Sequence, residues 1–251
     1  MGQSKARAPG FTRVGYERFF GADTSLTPMG VPQLLQYTLA AQKRVRLGVS
    51  CRGKSVAVDS SCWLHELAAS PEHVHQFVVQ NDPSSVVKAF VDRAGYWRMK
   101  GVTLVFVFDG QDAPAKAATN EARREQRITA RGQLDSEGLS VKEWRRKMAS
   151  AVSIDWTVVS KVIDVLREAG FVYVVAPFEA DGQLAYLCKE GFVDAVWTAD
   201  TDLIVLGCPQ TYLHINYYHG TAILVTQEAL AAEPAGKWSG VGVGDAGRGV
   251  V

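Results

Sequence analysis

The sequence predicts an α/β fold with a mostly parallel central sheet that helices cover on both faces. Two patterns predict it: short segments that are apolar along their whole length, and amphipathic helices that separate them. Hydrophobic residues make up 47% of the 251 residues, which is enough to bury one substantial core. We therefore expect one domain over residues 29–230. An extension over residues 1–28 and a glycine-rich tail over residues 231–251 are expected to be disordered or mis-annotated.

Four apolar runs predict buried strands, because they are rich in β-branched and aromatic residues and end at turn-forming or acidic residues. They are Ser55–Val58, Val102–Phe108, Phe171–Val175 and Asp194–Trp197. Two later strands are expected at Tyr212–Ile215 and Ala222–Val225.

Helices are expected between these strands. The segments Ser84–Met99 and Thr157–Ala169 each place their apolar residues near one face, and Phe178–Lys189 predicts a third helix. Strands that alternate with helices favour parallel pairing, since each crossover returns the chain to the same end of the sheet.

Residues 110–156 interrupt this alternation. They are polar and charged, with little apolar periodicity before Trp144, and we expect no core element among them. Residues 116–147 hold nine Lys or Arg and five Asp or Glu, although the whole chain carries a net charge of only +1. If the segment is helical, one face presents Lys116, Arg123, Arg127 and Arg131, with Arg124 beside them. Such a basic stripe can hold DNA phosphates; a solvated helix face is the alternative.

Six carboxylates follow four of the predicted strands. They are Asp59, Asp109, Glu179, Asp181, Asp200 and Asp202. Because the carboxyl ends of parallel strands meet at one edge of a sheet, we expect these side chains to converge. Like charges at close range repel, and divalent cations relieve that repulsion. An all-oxygen set favours Mg²⁺ or Mn²⁺ over Zn²⁺, and two such ions about 4 Å apart can hydrolyse a phosphodiester.

Several alternatives remain open for these acids. Asp59 and Asp109 could each be a helix N-cap, and Glu179 and Asp181 could be first-turn acids that the helix dipole favours. The pair Asp200-Thr-Asp202 imitates a haloacid-dehalogenase-like phosphatase, although in that chemistry the pair follows the first strand. A catalytically inactive module that binds DNA or a partner is the remaining alternative.

The cysteine spacing and the hydropathy of the chain argue against several classes of protein. The four cysteines show no CxxC spacing, which favours structural thiols over a zinc site. No run of about 18 apolar residues predicts a membrane span, and the first residues lack the apolar stretch of a secretory signal.

Five blocks of sequence, taken in order, resemble the flap endonuclease/XPG (Rad2) family of structure-specific nucleases. They are Met29–Leu35, Val56–His65, Val105–Gly110, Ala176–Leu187 and Thr198–Cys208. The resemblance covers about residues 29–226, and ordered blocks are more specific than any single motif. The segments Cys62–His65 and Glu179–Leu187 look more like the exonuclease 1 branch than the flap endonuclease branch.

The resemblance implies a PIN-like α/β fold with a basic helical arch at about residues 111–156. It implies a metal-dependent hydrolase with 5′→3′ exonuclease and 5′-flap endonuclease activity on DNA, in which two Mg²⁺ ions, or Mn²⁺ as substitute, are bound. The implied metal ligands are Asp59, Asp109, Glu179, Asp181, Asp200 and Asp202.

The same resemblance assigns DNA contacts. Lys116 and Arg123 match the arch residues that contact the scissile phosphate, and Arg124 and Arg127 lie beside them. His65 matches a residue that stacks on the terminal nucleotide; a packed helix-face histidine is the alternative. Gly30 matches the N-terminal glycine that the family exposes when the preceding methionine is removed.

One departure accompanies the resemblance. The family continues into a helix–two-turn–helix region that supplies a seventh carboxylate, whereas Asp245 lies in the glycine-rich tail and does not match it. We therefore expect a truncated gene product. The resemblance further implies a nuclear monomer that acts on DNA 5′ ends, flaps, and nicked or recessed duplexes alongside repair and mismatch-repair proteins. A mitochondrial transit peptide is an alternative for residues 1–28.

Overall fold

The computed structural model describes residues 34, 38–111, 117–134 and 140–232. The predictions for Gly30, Lys116, the extension and most of the tail lie outside these residues. Within them, no helix is both long enough and apolar enough to cross a bilayer.

A seven-stranded sheet organises the described chain. Its strands are β1 (Gln42–Arg46), β2 (Ser55–Asp59), β3 (Thr103–Phe108), β4 (Val172–Val175), β5 (Ala195–Trp197), β6 (Gln210–Asn216) and β7 (Thr221–Thr226). They are arranged in the order β1-β7-β6-β5-β2-β3-β4. Strands β6, β5, β2, β3 and β4 are parallel, whereas β7 pairs antiparallel with both β6 and β1. The predicted α/β fold with a mostly parallel sheet is confirmed.

All six predicted strands are present, with ends that differ by one or two residues. Strand β1 has no counterpart among the predictions, because its sequence Gln-Lys-Arg-Val-Arg contains one apolar residue, Val45. It lies at the edge of the sheet, where charged side chains are tolerated and discourage pairing with another chain. Its register with β7, from Gln42 opposite Val225 to Arg46 opposite Thr221, holds it in place.

Ten α-helices surround the sheet among the described residues. They are α1 (Leu47–Ser50), α2 (Ser60–Ala69), α3 (Val74–Val78), α4 (Ser84–Met99), α5 (Ala117–Gly132), α6 (Val141–Ser150), α7 (Trp156–Glu168), α8 (Ala180–Lys189), α9 (Asp202–Val205) and α10 (Gln227–Ala231). A 3₁₀ turn at Leu39–Ala41 precedes β1. Helix α4 has the predicted bounds, and α7 is displaced by one residue. Helix α8 begins two residues later than predicted, since Glu179 occupies its N-cap position.

The larger core lies between one face of the sheet and α2, α4, α6 and α7. Aromatic rings fill its centre: Trp63 makes edge contacts with Phe90 at 5.3 Å and Phe106 at 5.6 Å between centroids. A smaller core on the opposite face packs α8 and α9 against the sheet through Leu184, Val196 and other apolar residues. The cysteines Cys51, Cys62, Cys188 and Cys208 are unpaired thiols, as predicted.

The segment after β3 corrects one prediction. Residues 110–156 were expected to contribute no core element, yet Met148 is fully buried and Ala151 and Val152 join the larger core. Helix α6 packs against α2 and α3, so its few apolar residues suffice to dock it. A capping box between Ser140 and Glu143 starts this helix.

A buried cation fixes α2 on α4. Arg93 is 1% exposed and makes a two-pronged contact with Glu66, with N–O distances of 3.2 and 3.1 Å. Its guanidinium also lies 4.2 Å from the centroid of Tyr217 and 5.1 Å from that of Trp63. This contact matters for the site below, because α2 begins directly after Asp59.

Candidate metal centre at the carboxyl edge of the sheet

The six predicted acids lie at the ends of neighbouring strands. Asp59 is the last residue of β2, and Asp109 follows the last residue of β3. The other four acids follow β4 and β5: Glu179 and Asp181 begin α8, and Asp200 and Asp202 begin the turn into α9. Since β5, β2, β3 and β4 are adjacent and parallel, all four chain segments leave the sheet at one edge.

These acids lie close enough for their charges to act on Asp181. Burial raises the pKa of Asp181 to about 7, and the negative charges of Asp59, Asp200, Asp109 and Asp202 add to the rise. The pKa of Asp59 is also raised, chiefly by burial, although hydrogen bonds from Cys62 and Thr198 oppose the rise. The structure therefore brings five aspartates into one cluster, with Glu179 half-buried beside Asp181.

Asp59 is held by three hydrogen bonds. Its Oδ1 accepts the backbone N–H of Cys62 at 3.1 Å, which makes it the N-cap of α2. Its Oδ2 accepts from the Thr198 hydroxyl at 2.9 Å and from the Cys62 thiol at 2.8 Å. The helix-cap alternative is therefore confirmed for Asp59, and the same carboxylate also belongs to the acidic cluster.

Asp109 joins β3 to the start of α8. Its Oδ1 accepts the backbone N–H of Ala180 at 2.8 Å, and its Oδ2 accepts the hydroxyl of Ser61. Asp109 therefore caps a helix 71 residues further along the chain, rather than one that directly follows it. Gly110 permits this approach: its N–H donates to Phe178 O at 2.6 Å, and a Cβ there would overlap the carbonyl oxygen of Ala176.

The loop after β5 is folded around its own aspartates. Asp200 N donates to the Thr198 hydroxyl at 2.9 Å, and Asp202 N donates to Asp200 Oδ1 at 2.9 Å. Asp200 is buried and Asp202 is half-buried, so Asp202 is the more accessible of the two to solvent.

The donor set fits hard divalent cations, because it consists of carboxylate oxygens that repel one another and the acids around Asp181 are only partly accessible to water. Among the described residues, no three His, Cys, Asp or Glu side chains are arranged to hold one metal ion as they stand. In this structure Asp59, Asp109 and Asp200 each direct an oxygen at a protein donor.

Basic residues of α5 lie beside this edge. The pKa of His65 is lowered, first by the protein packed around it and then by the charge of Arg127, with a smaller effect from Arg123, while Asp109 acts in the opposite direction. His65 thus lies between the acidic cluster and the basic helix. Arg124 is exposed and lies 3.7 Å from Glu121. Arg131 was predicted on the phosphate-binding face, but it donates to the carbonyl oxygen of Val78 at 2.8 Å and anchors α5.

Three further residues of the site were not predicted from the sequence. Ser61 and Cys62 resemble ordinary first-turn residues of a helix, and Thr198 resembles the end of a strand. Only the packing of β2, β3 and β5 side by side shows that they hydrogen-bond to Asp59, Asp109 and Asp200. A search for hydroxyl residues next to strand-end acids would have found Ser61 and Thr198.

The fold and the acidic edge define a PIN-like α/β domain, and comparison with known proteins narrows this further. Residues 29–130 match the XPG N-terminal domain, and residues 170–233 match the XPG I-region. The chain belongs to the XPG/Rad2 family, as its sequence blocks predict.

Exonuclease 1 of Xenopus laevis is similar to this chain, with 36% identity over 194 residues. The aligned region covers 76% of this chain and 26% of that protein, so the chain spans about a quarter of this curated relative. The Schizosaccharomyces pombe exodeoxyribonuclease 1 is 32% identical over 209 residues, which cover 81% of this chain and 35% of the relative.

Two solved structures share the fold. The catalytic core of Rad2 in complex with DNA substrate superposes with a TM-score of 0.59 and 24% identity, covering 80% of this chain and 56% of that one. The Holliday junction-resolving enzyme GEN1 in complex with product DNA and Mg²⁺ gives a TM-score of 0.52 and 20% identity, covering 82% and 42%.

Proposed function

We propose that this chain is a divalent-metal-dependent DNA phosphodiesterase, with 5′→3′ exonuclease and 5′-flap endonuclease activity. One observation carries the proposal: four adjacent strands bring five aspartates into a single cluster at the carboxyl edge of the sheet. The similarity to exonuclease 1, and the DNA and Mg²⁺ in the structures of Rad2 and GEN1, support it.

The chemistry follows from the composition of this edge. Two Mg²⁺ ions would be held by Asp59, Asp109, Glu179, Asp181, Asp200 and Asp202. When bound, such ions lower the pKa of an attacking water and stabilise the leaving oxygen of a phosphodiester.

The protein itself positions the DNA. Arg123 and Arg127 place positive charge beside His65 and Asp109, where a phosphate can enter against the repulsion of the acids. The exposed His65 ring offers a surface on which a terminal base can stack. Lys116 and Gly30 are proposed to contribute as in the family. By the same resemblance, we place this activity in nuclear DNA repair, recombination and replication.

The test is cleavage of two 5′-labelled DNAs, one with a 5′ flap and one with a recessed duplex end, in Mg²⁺, in Mn²⁺ and with chelator. We expect metal-dependent cleavage by the wild type, and a loss of about 10³-fold or more for Asp200→Ala. Asp164→Ala is the matched control, because Asp164 lies on α7, is 62% exposed and pairs with Arg167. It should cleave like the wild type.

Two results would overturn the proposal. If the wild type binds both DNAs but cleaves neither in Mg²⁺ or Mn²⁺, the chain is a binding module without turnover. If Asp200→Ala cleaves as fast as Asp164→Ala, the activity belongs to another site or to a contaminant. Release of phosphate from a small monoester would instead favour the phosphatase alternative.

A further inference from the structure

We propose that Thr198 is a positioning residue that ties Asp59 to Asp200 and thereby sets the geometry in which the acidic edge takes up its metal ions. This inference rests on the proposed function. Thr198 itself carries no charge and is not one of the expected ligands. Its hydroxyl is the direct link between the acid at the end of β2 and the acid that follows β5.

The geometry of this hydroxyl leaves it little freedom. Thr198 Oγ1 donates its proton to Asp59 Oδ2 at 2.9 Å and accepts the backbone N–H of Asp200 at 2.9 Å. The hydroxyl proton therefore contacts the acid at the end of β2, and one lone pair of the oxygen contacts the loop after β5. Thr198 is 4% exposed, so water cannot readily replace either contact.

The backbone around Thr198 is equally constrained. The preceding residue, Trp197, pairs with Val58 on one side and with Tyr212 on the other. Thr198 N donates to Tyr212 O at 3.2 Å, which extends the ladder by one residue. Because two neighbouring strands fix the backbone of Thr198, its hydroxyl has a defined position. This hydroxyl in turn orients the Asp59 carboxylate that it contacts.

The link continues beyond Asp200. Its Oδ1 accepts the N–H of Asp202, so one chain of hydrogen bonds runs from Asp59 through Thr198 to the last acid of the edge. The Cys62 thiol lies 3.9 Å from Thr198 Oγ1 and also donates to Asp59 Oδ2. With the Thr198 hydroxyl removed, the Asp59 carboxylate keeps the two donors of Cys62 and loses its side-chain contact with Thr198.

The test compares Thr198→Val, which keeps the branched shape and removes the hydroxyl, with Thr198→Ser, which keeps the hydroxyl. Thr211→Val is the matched control, because Thr211 is also buried, on the neighbouring strand β6, and its hydroxyl makes no hydrogen bond to a carboxylate among the described residues. Mg²⁺ binding is measured by calorimetry without DNA, and thermal unfolding is recorded for each variant. Cleavage of the flap substrate then gives kcat and KM.

Loss of a group that orients a metal ligand typically weakens metal affinity or activity by about 10- to 100-fold. We expect Thr198→Val to bind Mg²⁺ more weakly by that factor and to lose kcat, with the KM for DNA unchanged. Thr198→Ser should recover to within about threefold of the wild type, and Thr211→Val should match it. If Thr198→Val does not fold, Thr198→Cys replaces it, and its weak thiol donor should still lower Mg²⁺ affinity by about tenfold.

Two outcomes would overturn the inference: Thr198→Val binding Mg²⁺ as tightly as the wild type, or Thr198→Ser being as defective as Thr198→Val. The second would assign the effect to shape rather than to the hydroxyl. Failure of the proposed function is distinguishable, because a wild type that cleaves no DNA still allows the Mg²⁺ affinities of the variants to be compared.

Discussion

The raised pKa of Asp181 makes a quantitative prediction about folding. In the folded chain this pKa is about 7, against an ordinary value of 3.8. A carboxyl that holds its proton more tightly when folded favours the folded state only at low pH. Its contribution to the free energy of unfolding is lost as the pH rises from the pKa of the group in the unfolded chain through its pKa in the folded chain. The difference of about 3 pKa units corresponds to a penalty of up to about 4 kcal/mol above pH 7.

The perturbation that tests this is Asp181→Asn, which removes the charge and keeps the shape. Between pH 5 and pH 8, without metal, the wild type should lose about 3 kcal/mol of unfolding free energy that the variant retains. At pH 8 the variant should therefore be the more stable protein, by up to about 4 kcal/mol. Adding Mg²⁺ should reverse the order, because the cation offsets the repulsion in the wild type and finds one ligand fewer in the variant.

The assay is urea unfolding at both pH values, with chelator and with Mg²⁺, and Asp164→Asn serves as the control. Asp164 is exposed and pairs with Arg167, so its substitution should leave the pH dependence of stability unchanged. Equal destabilisation of Asp181→Asn at pH 5 and pH 8, together with equal stabilisation of both proteins by Mg²⁺, would refute the reasoning. It would mean that neither burial nor the aspartates at the ends of β2, β3 and β5 raise the pKa of Asp181.

Two further predictions concern the parts that hold the edge together. Arg93→Met should lower the free energy of unfolding in urea by roughly 3 kcal/mol. This is the lower end of the range for a broken buried ion pair, because Glu66 is 22% exposed. A loss below about 1 kcal/mol would contradict the prediction. Gly110→Ala should cost roughly 2 kcal/mol and weaken Mg²⁺ uptake, since its Cβ would overlap the Ala176 carbonyl and displace the neighbouring acid. The control Gly95→Ala, in α4 with open space around it, should instead stabilise by up to about 1 kcal/mol, and equal effects of the two changes would exclude the steric argument.

Much of the fold was predictable because local sequence carries its signals. The strands at Ser55–Asp59 and Thr103–Phe108 contain continuous apolar runs, over residues 56–58 and 104–108, since nearly all of these side chains are buried. In helix α4 the buried residues recur along the sequence at helical spacing. By contrast, β1 was missed, and the contribution of α6 to the core was not expected: β1 is stabilised by its partner strand, and α6 by docking Met148 into the larger core. Neither cause is visible within the segment itself.

The sequence by itself determined that acids follow four strands, and parallel pairing then requires their ends to share an edge. Tertiary structure decided how those acids are held. Thr198 reaches Asp59 across 139 residues, and Ala180 reaches Asp109 across 71. Such contacts depend on which strands are neighbours and on their register, and both are set by packing of the whole sheet rather than by any local pattern.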